Sequence, residues 1–142
     1  MTRRRPYKAL ELLHRSAELG HAMAYCNIGY AYSHGEGVEV DMKKATHYYE
    51  LAAMKGNAMA RHNVALIEKK AGNIDRALKH YMIAARSGWS NSLKGMKQLY
   101  SNRHATKEQY TKALQLYQTY LSEIKSKQRD EAASADEDYR YY

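Results

Sequence analysis

The stretch "HGEGVEVDMKKA", His34 to Ala45, sets two glycines one residue apart ahead of a helix-like run. It reads either as a loop that cradles phosphate or as a hinge between two helices. A dinucleotide fingerprint needs G-x-G-x-x-G after a strand, so that backbone N–H groups meet the pyrophosphate. Here Val40 stands where the third glycine belongs, and the preceding "AMAYCNIGYAY" has the alanine-rich face of a helix. Glu36, Glu39 and Asp41 would also repel a phosphate. The hinge reading stands, because glycine permits turns closed to other residues.

Outward from this hinge the chain repeats itself. Ala9, Ala45, Ala77 and Ala113 are separated by 36, 32 and 36 residues. The same register aligns Leu13, Tyr49, Tyr81 and Tyr117, then Ala17, Ala53, Ala85 and Leu121, then Gly20, Gly56 and Gly88. In the shorter step "KKAGNIDRA" replaces "YSHGEGVEVDMKKA", and "YSNRHATKEQYTKA" restores the longer form. Such a period marks stacked structural units, none of which buries its apolar face alone.

Each unit reads as two helices. Asp41 is placed to cap a helix in which Ala45, Tyr48, Tyr49, Ala52 and Ala53 recur at helical spacing. Gly56 is placed to stop that helix in the left-handed conformation, as are Gly20 and Gly88 in their own units. Thr106 with Gln109 forms a capping box for the last helix, whose apolar face runs through Tyr110, Ala113, Leu114, Tyr117, Leu121 and Ile124. Pro6 sits in a first helical turn, where its missing N–H costs little. These signals predict seven helices, near residues 7–20, 22–34, 41–55, 58–70, 74–87, 90–101 and 106–132.

The pattern Ala24, Ile28-Gly29, Tyr32, Gly35-Glu36-Gly37-Val38, Asp41, Lys44-Ala45, Tyr48, Ala52-Ala53, Gly56 resembles the Sel-one-like repeats, relatives of the tetratricopeptide solenoids. Tyr48 stands where tryptophan is common in the family. The second unit keeps Ala60, Asn63-Val64, Ala77, Ala84-Ala85 and Gly88 but lacks the glycine loop. The resemblance implies an all-α, right-handed α/α solenoid of antiparallel helix pairs, tetratricopeptide-like, spanning residues 7–128. Within it we expect a half unit 7–20, full units 21–56 and 57–88, and a degenerate capping unit 89–128. The half unit lacks a first helix, as in a trimmed piece of a longer array. Residues 129–142 form an acidic, tyrosine-rich tail.

Composition narrows the class of function. The only cysteine, Cys26, excludes a disulfide within the chain and reads as a small core residue. No apolar run approaches the ~18 residues that span a bilayer. The basic start, "MTRRRPYKALELL", has its apolar stretch broken by Glu11 and His14 and is no secretory signal. An intracellular, cytoplasmic location is the expectation. The net charge of +8 divides into −3 over residues 129–142 and +11 over residues 1–128. A basic body attracts acidic protein, nucleic acid or anionic surfaces, although most such charge is solvated. Fourteen tyrosines and no phenylalanine predict many half-buried rings at unit junctions or on a binding face. The tail has little to bury and is expected to be disordered alone, unless Tyr139, Tyr141 and Tyr142 dock on the basic groove of the same or a neighbouring copy.

No constellation carries catalysis. Ser122-Glu-Ile-Lys125 matches S-x-x-K, but no K-T-G or S-D-N accompanies it. The seven histidines form no H-x-x-x-H pair, so neither metal nor other cofactor is expected. The resemblance implies that the first helices of successive units line a concave surface, and there "MAYCN" is echoed by "MARHN". Met23 and Met59 would adapt to apolar side chains, and Asn27 and Asn63 would bond an extended backbone. Tyr25, Tyr30, Arg61, His62 and Lys94 would complete a basic, aromatic groove. The leading expectation is a non-enzymatic adaptor that holds an acidic peptide or protein. The alternative is a basic subunit on a nucleic-acid backbone, through Arg3, Arg4, Arg5 and the dispersed cations.

Overall fold

A computed structural model describes residues 21–140, and their side chains as far as residue 135. The helix expected at 7–20, with Gly20 and the Arg3–Arg5 cluster, lies outside the described residues. Six helices follow: α1 (Ala22–His34), α2 (Met42–Met54), α3 (Ala58–Lys70), α4 (Ile74–Arg86), α5 (Asn91–Ser101) and α6 (Lys107–Arg140). No strand occurs among the described residues.

Local chemistry accounts for the boundaries. Asp41 accepts from the Lys44 N–H at 3.1 Å and Asn57 from the Ala60 N–H at 2.8 Å, so each satisfies a donor that a helix start leaves open. The capping box forms in both directions: the Thr106 N–H donates to Gln109 Oε1 at 2.8 Å, and the Gln109 N–H to Thr106 Oγ1 at 3.1 Å. At the other ends a single stop recurs. After α2, the Asn57 N–H returns to the Ala52 carbonyl at 3.1 Å and the Gly56 N–H to the Ala53 carbonyl at 2.9 Å, around Gly56 at φ 94°. Gly88 repeats the geometry after α4 at φ 94°, and a Cβ there would overlap the ring of Tyr120 on α6. Two stops were not expected: Gly72 at φ 86° after α3, and Arg103, a non-glycine residue at φ 62°, after α5.

Stacking follows chain order. The described helices pack as the pairs α1/α2 and α3/α4, joined through α2/α3 and α4/α5, with α6 closing against α4 and α5. The repeated alanines are the contact points: Ala45, Ala77 and Ala113 are fully buried, which lets backbones approach closely. The repeated tyrosines fill the space between, with Tyr49 and Tyr81 buried in successive clusters. The pattern then loosens, because Tyr117 is half-buried and Leu121 is exposed. The outer face of α6 is polar, through Gln115, Gln118, Thr119 and Ser122, as befits the end of a stack.

One expectation fails here. The last helix continues through the acidic tail to Arg140 instead of ending near residue 132. Alanine, glutamate and arginine in that stretch are strong helix formers, and they extend a helix already nucleated.

Candidate functional site

Two depressions mark the side of the stack where the first helices of the units, α1, α3 and α5, are exposed. The first, about 540 Å³, lies among α1, α2 and α3. Met42, Leu66 and Ile67 give it apolar walls, Asn63, His34 and Lys70 give it polar edges, and Tyr49 forms its floor. The Tyr49 hydroxyl lies 3.4 Å from Ser33 Oγ, and burial pushes its pKa up despite that hydrogen bond. The second depression, about 630 Å³, lies between α3 and α5 and is lined by Lys69, Lys94, Lys97 and Gln98. Lys69 Nζ donates to Gln98 Oε1 at 3.0 Å, which fixes one edge. The two depressions share no lining residue but border the same last turn of α3, through Lys70 and Lys69.

Charge separates this side from the rest of the surface. Neither α1 nor α5 contains an aspartate or glutamate. The single acid of α3, Glu68, is buried and accepts from Asn73 Nδ2 at 2.7 Å. The same helices contribute Arg61, Lys69, Lys70, Lys94 and Lys97. Exposed carboxylates sit elsewhere: Glu36 and Glu39 in the hinge, Glu50 on α2, Asp75 on α4, Glu108 and Glu123 on α6. No ion pair engages Lys94 or Lys97 among the described residues. Exposed charges are screened over ~8–10 Å in physiological salt, so a local cluster counts for more than the net charge of the chain.

The residues expected to form a groove divide into three groups. Asn63 lines the first depression and Lys94 the second. Met23 (53% exposed), Asn27 and Tyr30 (45% exposed) lie on the surface of α1, where Tyr30 stacks on His34 at 4.0 Å between ring centres. The other four are drawn into packing. Tyr25 stacks on Tyr48 at 6.3 Å, and Met59 packs against the core around Val64. Arg61 turns toward α4, with Nη1 3.4 Å from His80 Nδ1. His62 enters the α3–α4–α5 junction, 2.9 Å from Ser92 Oγ and 5.4 Å from the Tyr81 ring, and burial lowers its pKa. Arg61 and His62 are each partly exposed, as Asn63 is, and also face neighbouring helices. Arg61 meets α4 of its own unit, and His62 meets Ser92 on α5 of the next. Met42, Leu66, Lys69, Lys70 and Lys97 also line the depressions, and periodicity alone does not single them out.

Among known proteins, the family model for the Sel1 repeat matches residues 3–21, 22–57 and 67–89, together more than half of the chain. The chain belongs to the Sel1-repeat family. A crystal structure of a Sel1 repeat protein from Oxalobacter formigenes superposes with a TM-score of 0.66 at 30% identity. The match covers 80% of this chain and 48% of that one, so the chain spans about half the length of that protein. No curated protein matches. Sel1 repeat proteins are generally protein-interaction scaffolds. Within these Sel1 units, Ala24, Ile28, Gly29, Ala45, Ala52, Ala53, Ala77 and Ala85 of the repeat signature are buried. Gly35 and Gly37 take left-handed φ values of 73° and 74°, as the hinge reading requires. The backbone thus bends to join two helices.

Other candidates dissolve on inspection. Ser122 is exposed on α6 with Lys125, and no hydrogen bond joins them. Cys26 is buried, and burial raises its thiol pKa, the opposite of an activated nucleophile. Among the described residues no three His, Cys, Asp or Glu side chains gather as a metal site, and no helix is long and apolar enough to cross a membrane.

Proposed function

We propose that this chain is a non-catalytic interaction module that holds an acidic segment of a protein partner along the exposed side of α1, α3 and α5. The observation that carries the reading is the absence of any exposed carboxylate on these three helices, beside Lys69, Lys70, Lys94 and Lys97 on α3 and α5. The apolar depression supplies an anchor point, and the lysine-lined one beside it favours the carboxylates that follow. The ligand that fits is an extended or helical peptide with a large apolar side chain next to a run of Asp or Glu. Complementary charge would speed the encounter and select the partner, while the apolar anchor would slow release.

The test is fluorescence anisotropy with a labelled peptide of that composition. Lys94→Glu combined with Lys97→Glu should weaken binding about tenfold or more, a loss of ~1.4 kcal/mol or greater. Lys79→Glu, on the exposed face of α4, should change it little. Equal losses from both replacements would refute the placement. Duplex DNA of matched charge that binds as tightly as the peptide would refute selectivity for protein.

A further inference from the structure

We infer that the lysine-lined depression between α3 and α5 receives the acidic end of α6 from a second copy of this chain. The inference rests on the reading of this face as acid-binding and names an occupant for it.

Helix α6 runs unbroken from Lys107 to Arg140. Ile124 is its last partly buried residue, and every described side chain from Lys125 to Ala135 is exposed. With a rise of ~1.5 Å per residue, the helix continues about 16 Å past Ile124, to Ala135, with every described side chain exposed. A continuous helix cannot fold back, so this segment does not reach Lys69, Lys94 or Lys97 of its own chain. A second copy is free of that restriction.

Two features of the overhang call for a cationic partner. Its charge changes sign along its length: Lys125, Lys127 and Arg129 come first, and residues 130–138 then hold five acids and no base. Two of those acids, Glu137 and Asp138, fall in the last turn, where the helix dipole already presents partial negative charge. An isolated helix of about this length is marginal in water and gains nothing from exposed sides. Seated between α3 and α5 of another copy, the same segment meets Lys69, Lys94 and Lys97 and no exposed carboxylate on those two helices. Helix end and groove are different patches, so the contact is isologous when reciprocal and heterologous when one-way. Reciprocal exchange of α6 closes a dimer, and one-way seating builds chains.

The experiment is sedimentation velocity of the full chain over a concentration series, at low and moderate salt. The expected result is reversible self-association that weakens as salt rises. Lys94→Glu/Lys97→Glu and, separately, Asp130→Lys/Glu131→Lys/Glu137→Lys should each weaken it about tenfold or more. An equimolar mixture of the two reversed proteins should restore it, since the basic tail of one then matches the acidic groove of the other. Circular dichroism checks folding independently: the tail replacement should keep or raise helix content while association is lost. A wild-type chain that stays monomeric throughout, or association indifferent to both reversals, would overturn the inference. If the chain stays monomeric while the acidic peptide still binds, only this inference falls. Loss of both removes their shared basis.

Discussion

Tyr49 and Tyr81 occupy the same position in successive repeat units, yet their rings do different work. Tyr49 packs on Gly29 of the same helix pair, where an added Cβ would sit 2.8 Å from the ring. Its hydroxyl opens to the groove and to Ser33. Tyr81 packs on Gly95 of the following unit, where a Cβ would lie 2.7 Å from the ring. It is fully buried, and its hydroxyl has no hydrogen-bond partner, nor does the nearby Trp89 Nε1. The repeat thus fixes where the ring starts, and the facing glycine decides which neighbour it serves. One tyrosine becomes the floor of a surface groove. The other becomes the bolt of a junction between units.

The largest effects should come from filling the glycine sites. Gly95→Val and Gly29→Val each drive a side chain into a tyrosine ring, at a cost of about 1–3 kcal/mol from overpacking. Urea denaturation should show a lower midpoint for both, with the greater loss at Gly95, where nothing opens to solvent. An unchanged midpoint for Gly95→Val would contradict the ring contact. A loss at Gly29 as large as at Gly95 would erase the distinction between the two sites.

Next in size is the response to pH, which comes from the two partly buried histidines, His62 and His80. Burial holds the His62 pKa below its ordinary 6.5, so the folded state resists a proton that the unfolded chain accepts. The resulting stability is complete above pH 6.5 and is lost as the pH falls from there toward the folded pKa. His80 adds to the same trend: its pKa is lowered by burial and by Arg61, with Glu50 and Glu68 opposing. Thermal melts should therefore drop as the solution is acidified. His62→Gln, which keeps a hydrogen-bonding group for Ser92, should flatten that slope. An undiminished slope would place the titration elsewhere.

The smallest effect separates the tyrosines by sign. Tyr81→Phe removes an unpartnered buried hydroxyl and should be neutral or stabilising by up to about 1 kcal/mol. Tyr49→Phe loses the long contact with Ser33 and should cost about 0.5 kcal/mol. Stability curves for the two variants that move the same way would break the comparison.

Much of the scaffold was legible in the sequence, because it is written in residue types with narrow physical roles. Alanine at close approaches, Asp41 and Thr106 at helix starts, and glycine at left-handed stops placed α1 to α5, and the start of α6, within a residue. The Arg103 stop was not legible, since a left-handed arginine has no signature in composition. The tail was misread because its burial was weighed and its helix propensity was not. The candidate site was harder still. Arg61, His62 and Asn63 share one turn of α3, but only packing shows which of them neighbouring helices claim. The lack of acids on α1, α3 and α5 becomes meaningful only when those helices are seen to share the sides of two depressions.

The most direct test of that face is chemical-shift mapping on isotope-labelled protein titrated with the acidic peptide. The account predicts that shifts concentrate on Asn63, Leu66, Lys69 and Lys70 of α3 and on Lys94, Lys97 and Gln98 of α5, with little change at Arg76 and Lys79 of α4. Shifts centred on α4, or spread evenly over every exposed lysine, would contradict it.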